Sequence, residues 1–258
     1  MLTLIGDILN WLAAGVLFPL MLLPLAVRAG GENRGTIMWA LSVSLLVGGG
    51  VLFARLTPVL AVTPAQTTLF VFASVATALV AIVGFTGGAN TAIKRLTPVF
   101  NSITRFAAQA VMWLLLAMAL VQFGIVILRY VFGINYIFMQ ESITYMHGAV
   151  FLVAGGYALL TDDHVRVDIF YRSASEHRKA LIDFLGTYLL LFPVCLILLW
   201  TGSPYVASSW GVQEGSTETS GIQAVYLLKT LIPIFAVLLA MAGFTIAARA
   251  GETLKARA

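Results

Sequence analysis

Apolar positions in this chain fall into seven long runs separated by short polar breaks. The runs cover roughly residues 8–28, 36–54, 67–87, 107–128, 141–160, 180–202 and 225–248. Each approaches or exceeds the ~20 helical residues needed to cross a hydrocarbon core of about 30 Å. The breaks read "RAGGENRG", "LTPVLAVTPAQ", "GANTAIKRLTPVFNSITRF", "FGINYIF", "TDDHVRVDIF" and "SPYVASSWGVQEGSTETSGIQ". The pattern predicts an all-α integral membrane protein with seven transmembrane helices. Pro193 and Pro233 lie inside the sixth and seventh runs. Proline is tolerated in such helices and predicts a kink in each.

Composition sharpens the class. Of the 258 residues 60% are hydrophobic and only 10% are charged, against about 25% charge in a soluble domain. The net charge of +4 does not call for nucleic acid as a partner, because basic residues of membrane proteins gather in cytoplasmic loops and set orientation. Of the 15 basic residues, all but Arg55, Arg129 and Lys229 fall in alternate connections or at the C-terminal end. That asymmetry predicts an N-terminus outside and a C-terminus in the cytoplasm, which requires an odd number of spans. The acidic stretch 203–224, with Glu214 and Glu218 and no Lys or Arg, then faces the periplasm or exterior. Cys195 is the single cysteine, so no intrachain disulfide is expected. The opening "MLTLIGDILN" has no basic n-region, so a cleaved leader is not expected.

The densest charge lies in residues 161–170, where Asp162, Asp163, His164, Arg166 and Asp168 stand close together. A helix over 164–176 would stack His164 and Asp168 at i, i+4 and put Val165 and Ile169 on one face. Such a cytoplasmic interfacial helix would turn its apolar side to lipid, with Arg166 and Arg172 near headgroups. A metal site could draw on Asp162, Asp163, His164 and Asp168, but no second His or Cys lies close by, so no metal is expected. An acid–base site at His164 and Asp168 would need a nucleophile or pocket that the spacing alone does not supply.

Ionisable residues inside spans are costly and are usually paired or functional. Arg129 ends the fourth run, Glu141 opens the fifth and Lys229 sits one turn into the seventh, all at the outer surface. One acid between two bases predicts an ion-pair staple joining three helices; the alternative for each base is snorkelling to headgroups. Gln140, Thr144 and His147 share a face of the fifth run, which suits interhelical hydrogen bonding. Gly155 and Gly156, like Gly48 to Gly50, suit close helix approach and are equally compatible with local flexibility. No Walker motif, nucleophile elbow or His-Glu-x-x-His is present, and no duplication of the kind found in self-sufficient carriers is visible.

Residues 107–248 resemble the small membrane subunit of TRAP (tripartite ATP-independent periplasmic) transporters. The resemblance rests on "RYVFG", "QESITYMHGAVFLVAGGYALL", "DDHVRVDIFY", "RKALIDFLGTYLLLFP", "YVASSWGVQEGSTETSG" and "VYLLKTLIPIFAVLLA", in that order. It implies a four-span core over 96–258, with 1–95 as a three-span extension that the resemblance does not reach. It further implies a scaffold without catalysis or cofactor, in the bacterial inner membrane. A large membrane subunit would carry an organic acid or similar solute by an elevator motion, commonly sodium-driven. A periplasmic solute-binding protein would deliver that solute, docking on the outer surface near Trp210, Glu214 and Glu218. Two other functions compete with the scaffold: an enzyme acting on a lipid-linked substrate through His164 and Asp168, and an independent carrier or channel using Glu141, His147 and Lys229.

Overall fold

A computed structural model describes residues 17–21, 23–24, 89–164 and 171–256. The elements are α1 (Phe18–Met21), α2 (Ala89–Val131), α3 (Ile137–Leu160), α4 (Glu176–Gly186), a π turn (Thr187–Leu191), α5 (Phe192–Gly211) and α6 (Val225–Lys255). Among the described residues no strand occurs, and four helical segments are long and apolar enough to cross a membrane: Ile93–Val131, Ile137–Leu160, Glu176–Gly211 and Val225–Lys255. They match the last four predicted runs. The first three runs lie outside the described residues, apart from the part of the first that holds α1.

Helix α6 is the centre of the bundle. It packs against α2, α3, α4, the π turn and α5, and 56% of its most apolar stretch is buried, against 6% for α2. Small residues let α3 run alongside it. Gly148 faces Leu228 and Gly155 faces the Phe235 ring, a constant offset that makes the two helices parallel. Gly156 is tighter still, where a Cβ would lie 2.8 Å from the Leu238 carbonyl oxygen and 2.9 Å from Thr104 Cγ2. Three helices therefore meet at one glycine, with van der Waals packing taking the place of the hydrophobic drive that lipid removes. Helix α2 adds an edge-to-face contact of Phe100 on Phe244 at 5.1 Å. Beside it Thr245 Oγ1 donates to Asn101 Oδ1 at 2.8 Å.

The few described N-terminal residues are tied to this core. Leu17 and Met21 pack with Phe192, Cys195, Leu199, Ala236 and Ala240, while Leu23 joins Ile93, Phe100, Phe244 and Ala248. Tyr188 Oη donates to the Met21 carbonyl at 2.6 Å.

Three element boundaries differ from the sequence expectation. Helix α2 has 43 residues, about 64 Å at 1.5 Å per residue, and absorbs most of the stretch read as a connection. Ile93, Phe100 and Thr104 give that stretch a buried stripe against α6 despite Lys94, Arg95 and Arg105 on its exposed side. Helix α5 continues to Gly211 rather than ending near 202. Two of its hydroxyls bond back within the helix: Thr201 donates to the Ile197 carbonyl at 2.7 Å and Ser203 to that of Leu199. Last, the helix predicted over 164–176 is not continuous, because Tyr171–Ala174 are turn and bend residues. Ser175 is an extended N-cap whose Oγ accepts from the Arg178 N–H, and Glu176 follows in the first turn. Both features favour a helix start there. Residues 165–170 lie outside the described residues.

Pro193 and Pro233 both lie within helical segments. Pro233 lies inside α6, and Pro193 follows directly on the π turn, a wider turn that commonly marks a local break in the i→i−4 ladder. Gly243 of α6 packs against that turn, with Leu191, Phe192 and Thr187 over its α-carbon.

Candidate functional site

The end of the bundle that carries residues 212–224 holds two separate polar clamps. Helix α5 stops where Gln213 takes a positive φ of 48°, which turns Glu214 back toward α6. Lys229 donates to Glu214 Oε2, and its Nζ also sits 4.0 Å from the centre of the Tyr205 ring, a favourable cation–π geometry. Trp210 Nε1 donates to Thr230 Oγ1 at 2.8 Å, and its ring meets Tyr226 edge-on at 4.8 Å. Lys229 holds the Glu214 carboxyl below its ordinary value, chiefly by this hydrogen bond.

The second clamp belongs to Glu141. Its carboxylate accepts from Ser216 Oγ and from the Ile222 backbone N–H at 2.6 Å, so both limbs of the loop hang from one side chain on α3. Ser216 and Ile222 are also joined by a backbone bond of 3.2 Å.

The expected staple of Arg129, Glu141 and Lys229 is therefore not the arrangement present. Lys229 lies on the α5 side of α6 and meets Glu214, whereas Glu141 satisfies loop donors. Arg129 ends α2 exposed, with no ion pair among the described residues. Next to it Gly133 closes the α2 end at a φ of 67°, and Ile134 N–H reaches back to the Leu128 carbonyl at 2.9 Å. Of the residues read as a docking surface, Trp210 and Glu214 are engaged within the fold and Glu218 is exposed.

At the opposite end, the charged run begins as the termination of α3. Thr161 Oγ1 donates to the Tyr157 carbonyl at 3.0 Å, and Asp162 adopts a positive φ of 64°, a conformation Asp tolerates better than most side chains. Asp163 N–H then reaches the Ala158 carbonyl at 3.0 Å, and His164 Nε2 lies 3.3 Å from the Gly155 carbonyl oxygen. Arg166 and Asp168 lie outside the described residues. Arg172 is exposed, and Tyr171 Oη donates to Asp183 Oδ2 at 2.9 Å. Among the described residues no group of three or more His, Cys, Asp or Glu is placed to hold a metal ion.

The polar stripe of α3 faces away from the other described helices. Gln140 Nε2 donates to Asn135 Oδ1 at 2.7 Å, and Thr144 and His147 are exposed. His147 stacks on Phe151 at 6.3 Å, and Phe151 is 69% exposed. Sequence reasoning singled out this stripe but missed Ser216, Ile222, Tyr205 and Thr230. A backbone N–H or a hydroxyl that partners a distant carboxylate leaves no pattern in the sequence.

No curated protein and no solved structure matches the chain. A family model described as "Tripartite ATP-independent periplasmic transporters, DctQ component" matches residues 118–252. The match begins within α2 and ends within α6, so it takes in all four apolar helical segments at least in part. Covering more than half of the chain, it identifies this multi-pass membrane protein as a member of the DctQ component family of tripartite ATP-independent periplasmic transporters.

Proposed function

We propose that this chain is a non-catalytic scaffold that holds a larger membrane subunit in place while that subunit moves an organic acid or similar solute, driven by sodium. The observation that carries the reading is the outward stripe of Thr144, His147 and Phe151 on an apolar helix of a DctQ-family protein. Polar side chains within a bilayer almost always face protein or a water-filled cavity. A stripe turned away from the other described helices therefore calls for a further membrane-embedded surface, which we assign to the larger subunit. The exposed Phe106, Trp113, Phe123 and Tyr130 of α2 give that partner a broad apolar surface beside it.

In this reading the loop end faces the periplasm and the C-terminal end faces the cytoplasm, as the distribution of Lys and Arg predicts. The two clamps make residues 212–224 a fixed platform, and exposed Glu218 offers a contact for a periplasmic solute-binding protein. Glu141, His147 and Lys229 do not converge on a shared path: two are engaged by the loop and one faces outward. That favours a scaffold over an independent carrier.

Uptake in liposomes tests the role. The large subunit, this chain and the binding protein together should accumulate solute under a sodium gradient, and omission of this chain should abolish accumulation. Flux from this chain alone, or full uptake without it, would refute the scaffold.

A further inference from the structure

Two buried hydroxyls lie at the loop end of the bundle, and neither makes an aligned hydrogen bond with the described residues. One is Tyr145 Oη. Tyr145 stands one turn below Glu141 on α3, and side chains on a helix lean toward its N-terminal end, so the phenol rises toward the Glu141 carboxylate. The charges of Glu141 and Glu214 both act on it, so the acid of each clamp is near. The other is Ser209 Oγ, on a residue only 1% exposed. It lies near the Glu214 carboxylate, and the Ser209 carbonyl accepts from the Glu214 N–H at 3.0 Å.

The loop closes tightly above them. Tyr226 N–H donates to the Glu214 carbonyl at 3.3 Å and Gly221 N–H to that of Glu218 at 3.0 Å. Ser216 Oγ, which donates to Glu141, also accepts from the Glu218 N–H at 3.1 Å. A Cβ at Gly221 would come within 2.7 Å of Glu141 Oε2, so glycine lets the chain fold onto the carboxylate. A hydroxyl buried in such a place without a partner is costly, and native ones are nearly always satisfied by protein or by ordered water. Acceptors are at hand. An ionised carboxylate offers about four acceptor positions, and Glu141 spends two, on Ser216 and the Ile222 N–H. Two hydroxyls with donors to spare beside two carboxylates make the four-partner setting that holds a buried water.

We infer that ordered water is bound beneath the loop, accepting from Tyr145 and Ser209 and donating to Glu141 and Glu214. The two clamps are then one hydrogen-bonded network, and residues 212–224 open as a single unit rather than one limb at a time. Nothing in this inference depends on the scaffold role or on which solute the transporter moves.

The sign of Tyr145→Phe tests it, in the full chain in detergent. Phenylalanine keeps the ring and removes only the hydroxyl. A hydroxyl bonded through water should cost roughly 2–4 °C of Tm when deleted, the scale of one hydrogen bond, and exchange of the 212–224 amides should rise roughly fivefold. An unsatisfied hydroxyl gives the opposite sign, with a Tm equal to or above that of the parent and exchange unchanged or slower; that result would overturn the inference. A mutant cycle then reads the link between the clamps. Glu141→Ala and Glu214→Ala combined should speed exchange by less than the product of their separate factors, and on the Tyr145→Phe background the factors should multiply. Factors that multiply in the parent would also overturn it. Should Tyr145→Phe fold poorly, Ser209→Ala makes the same test of sign and of coupling.

Discussion

Replacing Gly156 by alanine should loosen the bundle where three helices cross. The added methyl would sit 2.8 and 2.9 Å from the Leu238 carbonyl oxygen and carbon, and 2.9 Å from Thr104 Cγ2, where ordinary contact begins at 3.4 Å. Two of those neighbours are backbone atoms of α6, so a rotamer change cannot relieve the clash and the helices must part by roughly half an ångström. Overpacking of this kind costs about 1–3 kcal/mol. Alanine recovers up to ~1 kcal/mol of helix propensity in water, but less here, because helices of a membrane protein persist when their packing is lost. A net destabilisation of about 1–2 kcal/mol follows, or roughly 2–8 °C in Tm at ~2–4 °C per kcal/mol. Gly186 is the control: nothing lies within 4 Å of a Cβ built there, so Gly186→Ala should be neutral or mildly stabilising. The assay is the midpoint temperature for loss of the monodisperse peak on size-exclusion chromatography in detergent. A Gly156→Ala variant as stable as the parent would refute the close crossing.

Other perturbations separate the two clamps and probe the bundle. Lys229 holds the Glu214 carboxyl below its ordinary value of 4.5, so the stabilisation it brings is complete above about that pH and is lost as pH falls through the lowered folded value. Thermal midpoints measured from pH 7 down to pH 3 should therefore drop more for the parent than for Glu214→Gln, and parallel curves would remove this contribution. Glu141→Gln takes the charge from the acceptor of Ser216 and the Ile222 N–H; hydrogen exchange in 212–224 should accelerate, whereas unchanged exchange would show the loop is held by something else. Thr245→Val deletes the bond to Asn101 and should cost about 1 kcal/mol, within the range of interhelical hydrogen bonds in bilayers. A Tm equal to that of the parent would mean the bond adds nothing net.

The four described spans were legible because hydropathy reports directly on which helices a bilayer can hold. Their ends were harder. Pro204 and the Ser/Thr-rich stretch after Trp200 look like a loop, yet hydroxyls that bond back to Ile197 and Leu199 carry α5 on to Gly211. The lower half of α2 looked like a linker because Lys94, Arg95 and Arg105 drew the eye from the stripe of Ile93, Phe100 and Thr104. Gly155 and Gly156 announced the α3–α6 approach, since a missing side chain is itself the signal. The choice of partner for Lys229 was not legible. It depends on how Gln213 turns the end of α5, and a positive φ at glutamine is not written in any spacing. Glu141 likewise meets a backbone N–H that any residue at 222 could supply.

A photo-crosslinking side chain placed at His147, with this chain co-expressed beside its neighbouring genes, tests the docking role most directly. Crosslinking from His147 should yield one adduct with a larger multi-span membrane protein, and the same side chain placed at the buried Ala240 should not. A chain that purifies alone and monodisperse, with His147 crosslinked only to lipid, would contradict the scaffold reading.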